Sequence, residues 1–131
     1  MSAIRPNMDQ VKELMSAPDT GPVVMLNLLK FKERASDGAG AGSEAYARYG
    51  DSVTKMVEQR GGKVLWSGKA EQVLIGDAAQ DWDAVALVEY PSRKAFIEMT
   101  STKEYDAAHE HRAAGLERTI VVACSERTRA L

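Results

Sequence analysis

Val23-Val-Met-Leu-Asn-Leu-Leu-Lys-Phe31 reads as a β-strand by its length and its β-branched start. Its two alternating faces are both apolar, with Val23, Met25, Leu29 and Phe31 on one and Val24, Leu26 and Leu28 on the other. A strand apolar on both sides needs cover on both sides. Upstream, Asn7 is placed to cap a helix carrying Val11, Leu14 and Met15, with Gln10 completing a capping box, until Pro18, Gly21 and Pro22 stop it. Downstream, Lys32 to Gly42 is rich in Gly, Ala and Ser, which predicts a flexible loop. Ser43 is expected to cap a long helix reaching about Arg60, with Ala45, Tyr49, Val53, Met56 and Val57 at helical spacing, and Gly61-Gly62 ends it.

The remaining elements follow from the same periodicities. A second strand is expected from Lys63 to about Ile75, with Gly68 marking a bulge or bend. Gly76-Asp77 turns toward a third strand, Ala84 to Tyr90, so the pair reads as an antiparallel hairpin. A short helix starts at Pro91-Ser92, and Ser101-Thr-Lys-Glu104 fits the capping box of another that reaches about Leu116. On that helix Tyr105, Ala108, His109, Arg112, Ala113 and Leu116 share one face. A last strand covers Thr119 to Ser125.

After the leading helix, the order strand, helix, strand, strand, helix, strand is the split β-α-β arrangement of ferredoxin-like domains. The expected fold is therefore α+β, βαββαβ, with helices on one face of a four-stranded antiparallel sheet. Residues 1–131 read as one domain, 1–21 being an N-terminal helical extension and 22–126 the ferredoxin-like core. The other sheet face would carry Val24, Leu26, Val85, Leu87, Ile120 and Val122. So large an apolar patch is avoided by soluble monomers, and a two-fold pairing of sheet faces removes it. A homodimer through the sheet faces is expected on that ground.

Composition narrows the function. Of 131 residues, 44% are hydrophobic and 27% charged, which excludes wholesale disorder. Seventeen Lys plus Arg against nineteen Asp plus Glu leave a net charge of -2, against a dedicated nucleic-acid binder. No apolar run is long enough to span a bilayer, and the opening Met1 to Met8 lacks a signal-peptide pattern. A single cysteine, Cys124, excludes an internal disulfide and a cysteine-rich zinc site, and the chain reads as cytoplasmic.

Several segments together carry a resemblance. They are Val23 to Lys32, Tyr46-Ala-Arg-Tyr49, Gly61-Gly62, Trp82-Asp83, Tyr90-Pro-Ser-Arg-Lys-Ala-Phe96 and His111-Arg-Ala-Ala-Gly-Leu116. In this order they resemble the domain-of-unknown-function 1330 family, of the dimeric α/β-barrel superfamily, from Pro22 to Cys124. The resemblance implies a ferredoxin-like protomer whose sheets meet in a dimer. The wider superfamily includes cofactor-independent monooxygenases, haem-degrading enzymes, lactone isomerases and proteins with no known chemistry. The family's His-Arg pair corresponds to His111 and Arg112.

Candidate site residues are few. Asn27 sits mid-strand, where its amide either meets a ligand oxygen or satisfies neighbouring backbone. His109 shares a face with Tyr105 and Arg112, a proton donor or acceptor beside a permanent cation. His111 takes that role if the helix register differs. The two histidines point about 200° apart on a helix and cannot ligate one metal ion. Arg112 suits a substrate carboxylate, or else an internal ion pair with Glu89, Asp51 or Asp77. Trp66, Tyr46 and Tyr105 are candidate walls of a ligand pocket, or plain core. The glycines at 38, 40 and 42 match no phosphate-binding pattern and suggest a mobile flap or a bland connection. The sequence thus points to a small-molecule-binding protein with its cavity between sheet and helices, lacking metal or cofactor. Its chemistry, if any, would be oxygenation, isomerisation or proton transfer on a small, acidic or aromatic substrate. The alternative is a non-catalytic dimeric ligand-binding or stress-response module.

Overall fold

Asn7 caps the first helix as its spacing demands: its Oδ1 accepts from the Gln10 amide at 2.8 Å, and Gln10 Oε1 accepts from the Asn7 amide at 2.9 Å. The computed structural model describes residues 4–127 and 129. Its elements are α1 (Met8–Ser16), β1 (Val23–Phe31), α2 (Gly42–Gln59), β2 (Lys63–Lys69), β3 (Ala84–Tyr90), α3 (Arg93–Thr100), α4 (Lys103–Gly115) and β4 (Leu116–Cys124). The four strands form one antiparallel sheet in the order β2-β3-β1-β4, an α+β ferredoxin-like arrangement. No helix among the described residues is long and apolar enough to cross a membrane.

The side-chain period of two sorts β1 into two faces. Val23, Met25 and Leu29 are buried; Val23 and Met25 form a core with Val57 of α2, Tyr90 of β3 and Met99 of α3. The opposite parity carries Val24, Leu26 and Leu28, which pair across β3 with Glu89, Leu87 and Val85, and across β4 with Cys124, Val122 and Ile120. Those apolar side chains lie on the face without helices, where Ile120 and Val122 are exposed.

Helices α2 and α4 meet where two glycines replace side chains. A Cβ on Gly42 would stand 2.7 Å from the Gly115 carbonyl, and one on Gly115 would stand 2.9 Å from the Tyr46 amide nitrogen. The backbones are joined at that point, the Lys32 amide donating to the Gly115 carbonyl at 2.8 Å and the Gly42 amide to the Lys32 carbonyl at 3.1 Å. Ala35, Ala45 and Ala114 fill the adjoining space.

Several local expectations need correction. The second strand ends at Lys69, not Ile75, and Leu74 and Ile75 are 81% and 92% exposed. The connection 70–83 is instead tied by charge: Lys30 Nζ pairs with Asp81 at 2.9 Å and Asp83 at 3.3 Å, and the Phe31 amide donates to Asp83 at 2.9 Å. Arg118 donates to the Asp81 carbonyl and lies 4.4 Å over the Trp82 ring. The bulge in β2 falls between Val64 and Trp66, not at Gly68. Helix α2 is capped from Ala41, whose amide donates to Glu44 Oε1 at 3.0 Å, because Gly42 must already be helical to reach Gly115. Helix α4 is capped by Thr102, since Ser101 closes α3 and its hydroxyl donates to the Ile97 carbonyl. β4 begins at Leu116, three residues before the expected Thr119. The glycine-rich loop carries an Arg34–Ala41 bridge, and the Ser36 amide donates to the Ala114 carbonyl at 3.0 Å.

Candidate functional site

Helix α4 turns His109 and Arg112 inward together, three residues apart on one face, each only 5% exposed. Arg112 is a buried permanent charge, and such a group demands compensation. No Asp or Glu among the described residues pairs with it; the ion pairs there belong to Lys30, Arg48 and Arg118. The internal bridges to Glu89, Asp51 or Asp77 that sequence left open are therefore not formed. Arg112 instead donates from Nη1 to the Ile4 carbonyl at 2.8 Å, and its guanidinium carbon lies 5.9 Å from the Tyr49 ring centre. A neutral carbonyl and a ring face offset a guanidinium only in part.

Around these groups runs a chain of aromatic rings. Phe31 meets Tyr46 at 5.5 Å, Tyr46 meets Tyr49 at 5.3 Å, Tyr49 meets Tyr105 at 6.1 Å and Tyr105 meets His109 at 5.9 Å between centres. The Tyr49 and Tyr105 hydroxyls share a hydrogen bond of 3.0 Å. Burial pushes the phenols of Tyr46 and Tyr49 up, with Arg112 opposing in both, so both stay protonated and able to donate at neutral pH.

His109 Nδ1 is buried and has no hydrogen-bond partner among the described residues. Loss of hydration, then the charges of Arg5 and Arg112, push its pKa down to about 4, with Asp106 pulling the other way. The imidazole is accordingly neutral near pH 7. His111 lies apart from this group: it accepts from Arg48 Nε at 3.5 Å, and Arg48 pairs with Asp37 at 3.3 Å. The structure thus brings together His109, Arg112, Tyr46 and Tyr105, and leaves His111 on the flank.

Two other candidates do not join them. Asn27 points its amide nitrogen at the carbonyls of Met25 (3.1 Å) and Ala86 (3.4 Å), the backbone role that sequence reading held in reserve. Trp66 pairs with Leu87, opposite Leu26, and so lies on the face without helices, 55% exposed. The bulge at Leu65 reverses its direction relative to Val64. Sequence reasoning missed Ile4 and Arg5 as parts of the site; the unmet charge of Arg112 is the one signal that asked for a distant partner.

Two clefts lie elsewhere. One of about 300 Å³ sits beside Ala17 to Val23 with Arg93 and Ser125, and one of about 290 Å³ beside Lys69 to Val73 with Asp81 to Asp83. No cluster of three or more His, Cys, Asp or Glu able to hold a metal ion occurs among the described residues.

Comparison with known proteins agrees with the fold. Residues 41–124 match the model of the domain of unknown function DUF1330. The crystal structure of RPA0582, a protein of unknown function from Rhodopseudomonas palustris, is 36% identical over 98% of this chain and 100% of its own, with a TM-score of 0.90. The methylated form of RPA0582 gives the same identity and TM-score over 99% of this chain and 98% of its own. A DABB family protein with a ferredoxin-like fold from Mesorhizobium loti is 14% identical over 82% of this chain and 99% of its own, with a TM-score of 0.54. None of the curated proteins compared matches the chain.

Proposed function

The chain belongs to the DUF1330 family, and on that footing we propose that it binds a small organic carboxylate at Arg112, as a cytoplasmic homodimer paired through its open sheet faces. The observation that carries this reading is the buried guanidinium without a carboxylate partner among the described residues. Taking such a charge out of water costs on the order of several kcal/mol unless an anion meets it. A carboxylate matches the guanidinium fork in two parallel hydrogen bonds. The protonated Tyr46 and Tyr49 phenols add donors, and the stacked rings favour a flat or aromatic body on the ligand.

Val24, Leu26, Leu28, Val85, Leu87, Ile120, Val122 and Trp66 lie on one face, and a second copy would take them from water.

For chemistry, His109 supplies a neutral imidazole, its Nδ1 without a partner among the described residues, next to the proposed anion. Once the bound carboxylate offsets Arg112, the imidazole would accept a proton from a carbon beside that carboxylate and return it to the ligand, which is proton transfer or isomerisation without metal or nucleotide. A second reading, a binding module without turnover, is favoured by the aromatic packing around Arg112 and by clefts that open elsewhere.

Calorimetric titration with a panel of small carboxylates, benzoate first, tests the reading. Binding that Arg112→Gln and Arg112→Lys each weaken tenfold or more is expected, the lysine variant keeping charge but losing the fork. A panel that never binds, or binding indifferent to both substitutions, ends it. Proton release or product formation with any ligand that binds then separates enzyme from module.

A further inference from the structure

The group nearest the guanidinium belongs to the chain's own beginning. Ile4 reaches across 108 positions of sequence to place its carbonyl on Arg112 Nη1 at 2.8 Å. This oxygen stands where the proposed ligand's carboxylate oxygen would stand. The same segment brings Arg5 close enough to His109 to disfavour its protonation, so a second cation is added to a place that already holds an unpaired one. Of the acidic residues only Asp106 acts on His109 in the opposite sense.

Among the described residues the segment is lightly held. Arg5, Pro6 and Asn7 are exposed, and Asn7 is fixed from the other side, by its capping box with Gln10. By contrast, α2 and α4 are locked together at Gly42 and Gly115, where no space remains for adjustment. When something must move to admit a ligand, the cheapest motion is of residues 4–6 about Asn7.

We infer that residues 4–6 are a gate over the Arg112 site, held shut by the Ile4 carbonyl acting as a stand-in for the ligand, and that a carboxylate binds by displacing it. This rests on the reading of Arg112 as a carboxylate site. Opening removes one neutral acceptor and one cation together, Ile4 and Arg5, and replaces them with an anion that offsets Arg112. The ligand's charge is thus what differs between the closed and open states, as a switch of this kind requires.

The test keeps the chain at full length. Ile4→Gly combined with Pro6→Gly loosens the segment while keeping the Ile4-position carbonyl, and should strengthen benzoate binding about fivefold, because a freer segment loses more entropy on closing. In the unsubstituted protein, saturating benzoate should lower the 15N order parameter of the Arg5 amide while leaving amides within α4 unchanged. Unchanged or weaker benzoate binding in the glycine variant, or an Arg5 amide indifferent to bound benzoate, would overturn the gate and leave the carboxylate site standing. If benzoate and the rest of the carboxylate panel bind neither the full chain nor the loosened one, the site itself falls and the gate with it.

Discussion

Acidification should destabilise the fold through His109, and the size of the loss follows from the structure. The imidazole is 5% exposed, with an Nδ1 that has no partner among the described residues, the ring of Tyr105 at 5.9 Å, and Arg5, Arg112 and Asp106 as the charges acting on it. Its pKa stands at about 4 in the folded protein, against 6.5 for an unperturbed histidine. Between those values the unfolded chain takes up a proton that the folded chain refuses, so stability falls as pH falls. The loss begins near pH 6.5, reaches about 2 kcal/mol by pH 5, and levels at about 3 kcal/mol below pH 4. The carboxyls of Asp37, held low chiefly by the Ala39 amide, and Asp81, held low chiefly by Lys30, lose their contributions only below this window. Urea unfolding followed by Trp66 and Trp82 fluorescence, at one protomer concentration from pH 7.5 to 4, measures the curve. His109→Gln should run about 2 kcal/mol flatter between pH 7.5 and 5, whatever its stability at pH 7.5. Parallel curves for the two proteins would refute the reasoning, as would a His109 titration midpoint near 6.5 by NMR.

Three further substitutions probe the packing. Gly115→Ala places a methyl against the backbone of Gly42 and Tyr46 and should cost about 2–4 kcal/mol in a urea titration at pH 7, since neither helix can retreat. Asp83→Ala removes the acceptor of the Phe31 amide and one partner of Lys30, and should cost about 1–2 kcal/mol while speeding hydrogen exchange at Phe31. Leu26→Asp sets a charge at the middle of the open sheet face, opposite Leu87 and Val122, and should convert a particle of twice the protomer mass into one of the protomer mass in micromolar sedimentation. A wild-type chain already sedimenting as a single protomer would discard the sheet-face pairing.

Much of the architecture was legible because its signals are local. The capping box of α1 needs only Asn7 and Gln10, and the limits of β1 follow from a run bounded by Pro22 and a glycine-rich stretch. Where signals competed, position in space decided. Ser101 reads as the cap of α4 from its capping-box spacing, but its hydroxyl bonds the Ile97 carbonyl at the end of α3 and Thr102 caps α4 instead. Val73, Leu74 and Ile75 read as strand by composition, yet the neighbouring segment is drawn to Lys30 and Arg118 by Asp81 and Asp83. Ion pairs between residues 37 to 53 positions apart leave no trace in a local hydrophobic pattern.

The same division holds for the site. Helical spacing alone placed His109 with Arg112 and set His111 on another side, because side-chain direction repeats with the backbone turn. It could not say which of the two histidines faces inward, since that depends on how α4 is rolled against α2, a roll set by the contact of Gly42 with Gly115. Nor could it send Trp66 to the other side of the sheet, for one bulged residue reverses every side chain after it. Sequence determined the order of elements and the apolar character of both sheet faces, because each is a sum of near-neighbour preferences. Tertiary structure alone decided that Arg112 would be buried without an acid among the described residues and met by the Ile4 carbonyl, because burial and charge balance are properties of everything that surrounds a group in space.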